Sequence, residues 1–406
     1  MLSLLFLLFI KEISPMELNK DQQRIVNLAV DWYRNSSEQV FQYSGAAGTG
    51  KSVTMNAIIH ALGLKIDEVA PMSYIGAAAI IMRLKGLVNA KTIHSWLYGL
   101  EWVDTGEIDT YLNKRKKVKQ FVPKPLPANK KLICIDEAGC VPMYLKDEIE
   151  SRGLKILCCG DLNQLPPVGD NPAYLYTGKV HYLKEIMRQS KNSGIIHIAH
   201  EILQGHPVRH GTYGNVDVLY KDEISKDIIA NAQVVICGKN DTREKFNRYV
   251  RKYILHNEST LPSYGEKVVC RQNNWNIDAN GINLANGLIG DVISAPDPST
   301  FDGKYFTMDF QPSLSNTPFS GLVCSYAYLV GNTQERKYIK QSPYYPGEKF
   351  EFAYGITTHI SQGAQYEHGI YFEEYLNSKI NKNLNYTGIT RFSDHCIYFI
   401  DHQRYY

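Results

Sequence analysis

Eight residues, from Gly45 to Ser52, constrain the fold of this sequence more than any other stretch. They read GAAGTGKS and match Gly-x4-Gly-Lys-[Ser/Thr], the pattern of the phosphate-binding P-loop. A strand-like stretch, 39–43, precedes them and a helical pattern, 53–62, follows, which is the context this loop requires. The glycines let backbone N–H groups turn towards phosphate oxygens, and the helix N-terminus adds partial positive charge. The residues predicted to hold the nucleotide are Gly45, Ala46, Ala47, Gly48, Thr49, Gly50, Lys51 and Ser52.

Two carboxylates supply the metal and water chemistry that such a loop needs. The apolar run 131–135 ends in Asp136 and Glu137, so both are expected at the carboxyl end of a buried strand. We expect Lys51 to reach the β- and γ-phosphates of ATP, and Ser52 and Asp136 to hold Mg2+. Glu137 is predicted to orient and deprotonate the attacking water.

Two glutamines are further candidates for nucleotide contacts. The apolar run 154–159 leads into the loop 160–168, where Gln164 is predicted to lie beside the γ-phosphate and sense its presence. Near the start of the chain, Asn19 is predicted to cap a helix that carries Gln22. The amide of Gln22 is a candidate to read the adenine edge, and the alternative is a solvated helix glutamine.

Length and charge limit the possible classes of protein. The 406 residues predict two or three domains. A hydrophobic fraction of 44% and a charged fraction of 21% are typical of a globular protein. A net charge of only +3 excludes a chain that is polybasic throughout, so any nucleic-acid surface must be local. The eight cysteines show no Cys-x-x-Cys pair and no zinc spacing, which favours a reduced, cytoplasmic protein without zinc.

Residues 1–15 form an apolar extension unlike the rest of the sequence. The apolar run 2–10 is too short to span a bilayer. It also lacks the basic region and the small-residue cleavage site of a signal peptide, so a membrane anchor is not favoured. The sequence leaves two interpretations, a translation start at Met16 or a loosely attached segment.

Residues 97–130 have an unusual composition for the interior of a nucleotide-binding domain. Trp102, Tyr111 and Phe121 are interleaved with many lysines, and three prolines close the segment. Basic and aromatic residues in alternation favour a hairpin or arm that touches a nucleic-acid strand. The alternative is a solvated charged insertion.

Taken in order, these motifs resemble those of superfamily 1 helicases, in the 1B group with its RecD-like and Dda-like branch. The resemblance covers roughly 18–400. Its later motifs are LKEIMRQ at 183–189, an Asn-Gly-x-x-Gly turn at 286–290, ITTHISQG at 356–363 and NYTGITR at 385–391. A compact helicase of this branch suggests, by association alone, a phage or mobile-element origin.

The resemblance implies an α/β fold with two RecA-like P-loop domains, each a parallel sheet flanked by helices. Domain 1 would comprise 16–96 and 131–190, and 97–130 would be an inserted strand-separating hairpin. Domain 2 would comprise 191–263 and 351–406. Residues 264–350, rich in short apolar runs, glycines and prolines, would form an inserted SH3-like β-barrel.

The resemblance also implies roles for individual residues. Arg188 and Arg391 would be arginine fingers on the transferred phosphate, and Gly363 would join the nucleotide site. The candidates for DNA contact are Thr92, His94, Phe121, Thr358 and His359, and the wedge candidates are Phe121 and Trp102.

The sequence departs from the branch at four positions. Ala77 and Ile360 stand where lysines are usual, so contacts with DNA phosphates or the nucleotide are expected to weaken. Gln365 replaces a usual glutamate, and Gly139 replaces a frequent serine.

The function implied is an ATP-dependent DNA helicase that uses Mg2+, translocates 5′→3′ on single-stranded DNA and unwinds duplexes. Expected partners are single-stranded and forked DNA and replication proteins, and a monomer is expected. The pathway stays open between replication, recombination and repair. One alternative is a DNA-stimulated translocase without unwinding activity, and a second is a nucleic-acid-binding protein with an inactive ATPase.

Overall fold

The computed structural model describes residues 18–109, 114–185, 193–279, 282–297, 299, 301–342 and 345–402. The predicted extension 1–15, the alternative start Met16 and the predicted arginine finger Arg188 lie outside these residues.

The first sheet is built from six parallel strands of almost entirely apolar sequence. Such strands are typical of a sheet covered by helices on both faces. In their order across the sheet, the strands are β3 (Lys91–Thr92), β2 (Val69–Ser73), β6 (Leu132–Asp136), β7 (Lys155–Gly160), β1 (Val40–Gly45) and β8 (Val180–Leu183).

Helices cover both faces of this sheet, because two separate apolar cores flank it. The helices are α1 (Lys20–Asn35), α2 (Lys51–Ala61), α3 (Gly76–Leu84), α4 (Ile93–Leu97) and α5 (Lys146–Glu150). The longest of them, α1, buries Ile25, Val26, Ala29 and Trp32 at helical spacing against the sheet. Asn19 and Gln22 close its N-terminus in a reciprocal capping box.

A long hairpin leaves this unit directly after α4. Its antiparallel strands are β4 (Tyr98–Asp109) and β5 (Lys114–Pro123), and their register runs from Tyr98 opposite Pro123 to Asp109 opposite Lys114. The hairpin occupies the stretch for which an arm was predicted. Tyr111 and the side chain of Trp102 lie outside the described part of the chain.

The second sheet also has six strands, and all of its neighbours pair in parallel except β9 with β10. Across the sheet they are β19 (Gly355–Thr357), β11 (Val235–Cys237), β20 (Tyr366–Phe372), β21 (Phe392–Ile400), β10 (Val216–Tyr220) and β9 (Gly211–Tyr213). Its helices are α6 (Gly194–Gln204), α7 (Lys226–Ala230), α8 (Asn240–Tyr249) with a π-helical turn (Val250–Ile254), and α11 (Asn381–Ile389).

An antiparallel unit with its own apolar core interrupts this second domain. Its five-stranded sheet has the order β17 (Phe319–Ser325), β16 (Tyr305–Pro312), β15 (Ile289–Ser294), β12 (Lys267–Cys270) and β18 (Phe350–Phe352). The unit also contains β13 (Asn274–Ala279), β14 (Ile282–Leu284), α9 (Tyr326–Val330) and α10 (Thr333–Gln341). It lies in the stretch 264–350 predicted as a β-barrel, except that β18 extends to Phe352, and an SH3-like class for it stays a prediction.

The predicted fold class, two α/β domains with parallel sheets flanked by helices, is confirmed. The eight cysteines are all buried as free thiols. No helix in the described ranges combines the length and the apolar character needed to cross a membrane.

Candidate nucleotide site between the two domains

The P-loop leaves the end of β1 and enters α2 through two glycines in the left-handed region. Gly48 has φ 85° and Gly50 has φ 83°, a conformation that other residues adopt at a cost. A Cβ on Gly50 would lie 2.2 Å from Nε2 of Gln22, so the loop also needs this glycine for space. Glycine at position 50 therefore serves both the turn and the close approach of α1.

The side chains predicted to hold phosphate and metal converge at the start of α2. Nζ of Lys51 donates to the carbonyl oxygens of Gly45 at 2.8 Å and Ala46 at 3.2 Å, so the amine lies inside the loop. The hydroxyl of Ser52 accepts from Nζ of Lys85 at 3.1 Å. Two cationic groups thus lie where a nucleoside triphosphate would bring negative charge.

Asp136 is the last residue of β6 and Glu137 follows it, so both lie at the carboxyl end of this strand, as predicted. Because the strands are parallel, this is the edge of the sheet from which the P-loop leaves β1. Oδ1 of Asp136 accepts from the backbone N–H of Glu137 at 2.9 Å and from Sγ of Cys159 at 3.1 Å. Glu137 has φ 51°, a strained value for a residue with a side chain. Burial raises the pKa of Glu137, and the Asp136 charge adds to this, whereas the cations Lys51 and Arg391 oppose it. A carboxylate with a raised pKa is suited to accept a proton.

Gln164 lies in the loop after β7 and is buried beside Asp161. Its Nε2 lies 3.5 Å from Oδ2 of Asp161, and its Oε1 has no hydrogen-bond partner among the described residues. A buried amide oxygen without a partner is costly and calls for a water or ligand. This acceptor and the nearby cations fit a bound, hydrated triphosphate.

The second domain completes the site through α11, which contacts the loop 161–165 directly. The hydroxyl of Tyr386 donates to Oδ2 of Asp161 at 2.9 Å, and the backbone N–H of Leu165 donates to Oγ1 of Thr387 at 2.9 Å. Nδ2 of Asn383 donates to the carbonyl oxygens of Asn163 and Gln164 at 3.0 and 3.2 Å.

Sequence reasoning did not single out these α11 side chains. Most of them lie in or next to the motif 385–391 that ends at Arg391. The motif itself does not indicate which of its residues face the other domain.

Of the two predicted arginine fingers, the structure describes Arg391. It is buried, and its guanidinium donates to the carbonyl oxygens of Thr387 at 3.1 Å and Ala364 at 3.3 Å. Its charge acts on Glu137, where it opposes the rise in pKa. The structure therefore brings Arg391 into the electrostatic field of the predicted catalytic base.

Gly363 lies at a close seam between the domains. It has φ 77°, and a Cβ on it would lie 3.0 Å from Cβ of Ala78 in α3. Ala77, where lysine is usual, is buried in the same seam, and a Cβ on Gly287 would lie 3.7 Å from its Cβ. Small residues thus allow α3 to approach the second domain, and a role of Gly363 in nucleotide binding stays a prediction.

Gln22 is buried against the P-loop. Its Nε2 donates to the carbonyl oxygen of Thr49 at 3.2 Å, and its Oε1 accepts from the backbone N–H of Asn19 at 3.0 Å. The amide therefore ties α1 to the loop, and its predicted contact with adenine stays a prediction.

Two of the residues predicted to contact DNA have buried side chains in this structure, and their contact with DNA stays a prediction. Thr92 is buried, and its hydroxyl accepts from the backbone N–H of Ser95 as the N-cap of α4. Thr358 is fully buried, and its hydroxyl donates to the carbonyl oxygen of Cys237 at 3.2 Å. Both side chains serve their own backbone, so neither faces a strand in this structure.

His94 and Phe121 lie in a cluster of rings at the base of the hairpin. The ring centroids of His94 and Phe121 are 5.4 Å apart, and the hydroxyl of Tyr144 lies 3.3 Å from Nε2 of His94. Tyr74 and Tyr98 also contact His94. Phe121 is 53% exposed and Tyr144 61% exposed, so the cluster presents flat apolar rings to solvent. Burial lowers the pKa of His94, so its ring is neutral near pH 7.

The fifth DNA candidate, His359, is half-buried, and burial lowers its pKa as well. Its role in DNA contact stays a prediction.

A separate cavity of about 500 Å3 lies between α8 and the antiparallel unit. Its buried cations are already neutralised, because Arg243 pairs with Glu351 at 2.5 Å and Arg251 pairs with Glu266 at 2.6 Å. The pairs tie the unit to the second domain.

Comparisons with known proteins agree with this geometry. A profile of the AAA domain family matches residues 17–220. The ATP-dependent DNA helicase RRM3 of Saccharomyces cerevisiae is 31% identical over 38% of this chain, and the chain spans only 21% of that helicase.

Two solved structures share the fold. The structure of two coordinating Pif1 helicases at forked double-stranded DNA aligns with a TM-score of 0.59 at 18% identity, over 94% of this chain and 92% of that one. Pif1 helicase from Bacteroides with ADP-AlF3 and single-stranded DNA aligns with a TM-score of 0.57 at 16% identity, with the same coverage. The match over half of the sequence shows that the chain belongs to the AAA domain family, and the two alignments show that it shares the fold of the Pif1 helicases.

Proposed function

We propose that this chain is an ATP-dependent DNA helicase that couples ATP hydrolysis to translocation on single-stranded DNA and to duplex unwinding. The observation that carries the proposal is the shared site, in which Asp161 and Gln164 of one domain accept hydrogen bonds from Tyr386 and Asn383 of the other. The charge of Arg391, also in the second domain, acts on Glu137 in the first. A nucleotide held there would contact both domains. Its binding and hydrolysis would therefore change the contacts between them.

Each residue of the site has a chemical task in this proposal. The loop amides and Lys51 bind the phosphates, and Ser52 and Asp136 are the residues that would hold Mg2+. The cation would neutralise charge on the β- and γ-phosphates. Glu137 accepts the proton of the attacking water, and Arg391 stabilises the charge on the transferred phosphate.

Gln164 supplies the link between hydrolysis and movement. Its backbone carbonyl oxygen already accepts from Asn383 of the other domain, while Oε1 of its side chain has no partner among the described residues. An amide bonded to the γ-phosphate or its water would lose that partner on hydrolysis, and the loop 161–165 would pass the change to α11.

The ring cluster at the hairpin base supports DNA as the track. Exposed Phe121 and Tyr144 offer faces on which bases can stack, and such stacking is worth about 1–3 kcal/mol per base. The sequence of the hairpin that begins beside them is rich in lysine, a residue that binds the phosphate backbone of nucleic acids. The relative named above is called an ATP-dependent DNA helicase, and the two solved neighbours are Pif1 helicases described at forked double-stranded DNA and in complex with single-stranded DNA.

Finer points of the proposal rest on the resemblance alone. They are 5′→3′ movement, strand separation by the hairpin, function as a monomer, replication proteins as partners and a phage or mobile-element origin.

Two assays test the proposal together. The wild-type protein should hydrolyse ATP faster with single-stranded DNA and should unwind a 5′-tailed duplex but not a 3′-tailed one. Lys51→Ala should abolish turnover and leave the fold intact, as measured by circular dichroism.

The possible failures are distinct. Stimulated hydrolysis without strand displacement would favour the translocase alternative. DNA binding without any hydrolysis would favour a binding protein with an inactive ATPase. Unchanged turnover in Lys51→Ala would refute the assignment of the site.

A further inference from the structure

The buried thiol of Cys159 lies next to Asp136, the carboxylate predicted to hold Mg2+. We propose that Cys159 is a positioning residue, whose S–H bond orients Asp136 so that Oδ2 is the oxygen presented to Mg2+. The inference rests on the proposed function, because Asp136 is a magnesium ligand only if the site binds Mg-nucleotide.

The hydrogen bonds of Asp136 explain the orientation. Cys159 Sγ donates to Oδ1 at 3.1 Å, and the backbone N–H of Glu137 donates to the same oxygen at 2.9 Å. Within the described part of the chain, no hydrogen bond ends on Oδ2. Two donors on one oxygen fix the rotation of the carboxylate, so the other oxygen is held available for a cation. The backbone donor alone would leave the side chain free to rotate about that single contact.

The sheet places this thiol on a strand between the two halves of the site. Cys159 lies on β7, between β6 with Asp136 and β1 with Tyr43, and its register partner on β1 is Tyr43. The hydroxyl of Tyr43 donates to the carbonyl oxygen of Lys51 at 2.8 Å. Cys159 and Tyr43 are both fully buried. One layer of buried side chains therefore makes hydrogen bonds to both the P-loop lysine and the carboxylate.

Cys158 is a natural control for packing, because it is the preceding residue on the same strand. It is equally buried, but it points to the opposite face of the sheet and packs in a separate apolar core. A substitution there removes the same volume from the same strand. It leaves the hydrogen bonds of Asp136 untouched.

The experiment is a Mg2+ titration of nucleotide binding, which needs no turnover. A fluorescent ADP analogue reports the nucleotide affinity at each Mg2+ concentration. The quantity compared between variants is the Mg2+ concentration at which half of the increase in nucleotide affinity is reached. Removing a hydrogen bond behind a metal ligand typically costs about 10- to 100-fold in metal affinity. Because a thiol is a weak donor, we expect the lower end, about tenfold, for Cys159→Ala.

The conservative variants separate positioning from packing. Cys159→Ser keeps a donor and should stay within about twofold of wild type, which is a small change on the scale of such effects. Cys158→Ala should match wild type. If Cys159→Ala does not fold, Cys159→Val keeps bulk and strand preference without a donor and should show the same loss.

Equal Mg2+ dependence in Cys159→Ala and Cys158→Ala would overturn the inference and leave the proposed function standing. A loss in Cys159→Ser as large as that in Cys159→Ala would also overturn it, because the donor would then not matter. If nucleotide binding by the wild-type protein does not depend on Mg2+, both the inference and the proposed function are overturned.

Discussion

The hydroxyl of Tyr386 donates a hydrogen bond of 2.9 Å to Oδ2 of Asp161, joining residues that lie 225 positions apart in the chain. Both side chains are buried, and each belongs to a different α/β domain. The bond therefore links the second domain directly to the loop that carries Gln164.

Removing this hydroxyl should uncouple the domains without removing a phosphate ligand. A hydrogen bond to a charged group contributes about 1.5–3 kcal/mol, so we expect Tyr386→Phe to lower ATP turnover about tenfold or more. Nucleotide affinity, measured by fluorescence, should change little. Tyr174→Phe is a matched control, because its buried hydroxyl has no partner among the described residues. Equal turnover in the two variants would contradict a coupling role.

The decrease in the rate of ATP turnover at acidic pH should reflect the protonation of Glu137. Burial and the Asp136 charge raise its pKa, and turnover needs the carboxylate form. The rate should therefore fall as pH drops through a pKa above the usual glutamate range. The measurement is the pH dependence of kcat with DNA saturating.

Glu137→Gln is the control for this assignment. It cannot take the proton, so turnover should fall by about 100-fold or more while nucleotide still binds. If its residual rate kept the wild-type pH dependence, another group would be the one that titrates.

The exposed rings at the hairpin base should contribute to affinity for single-stranded DNA. Losing one stacking partner costs about 1–3 kcal/mol, so Tyr144→Ala and Phe121→Ala should each weaken binding about tenfold, as measured by fluorescence anisotropy. Tyr264→Ala removes a ring that is 75% exposed and is not one of the rings described in this cluster. A loss of equal size in Tyr264→Ala would show that the cluster is not a specific contact.

Glu351 should be a major determinant of stability. Burial would raise its pKa, but Arg271, Arg243 and Arg336 outweigh this and hold the pKa below its usual range. Its stabilising contribution is therefore present at neutral pH and is lost as pH falls through the lowered pKa. Breaking a buried ion pair costs about 3–5 kcal/mol, so Glu351→Gln should unfold at much lower urea concentration.

A surface pair provides the comparison for Glu351. Glu258 lies 3.5 Å from Lys252, and both side chains are largely exposed. Glu258→Gln should cost less than about 1 kcal/mol. Similar urea midpoints for the two variants would contradict the importance of the buried network.

The sequence was sufficient to predict the half of the site that lies at strand ends. Asp136, Glu137 and Gln164 follow apolar runs that the structure shows as β6 and β7. The motif order also led to Arg391, which no local pattern distinguishes from a surface arginine. Local periodicity is enough for such positions, because parallel strands end at a common edge.

Contacts across the cleft could not be predicted in the same way. Apolar periodicity indicates that Tyr386 and Cys159 are buried, but not that their polar atoms meet Asp161 and Asp136. The burial of the two threonines predicted to contact DNA is a different case. Thr92 directly precedes a short helix and caps it, which is a local role that a motif does not report.

The close approach of Gly363 to Ala78 has a mechanical consequence. A Cβ at position 363 would stand only 3.0 Å from Cβ of Ala78, so the two domains approach this closely because residue 363 has no side chain. In the proposed cycle of closing and opening, a larger residue at position 363 or 78 would then hold the cleft further open.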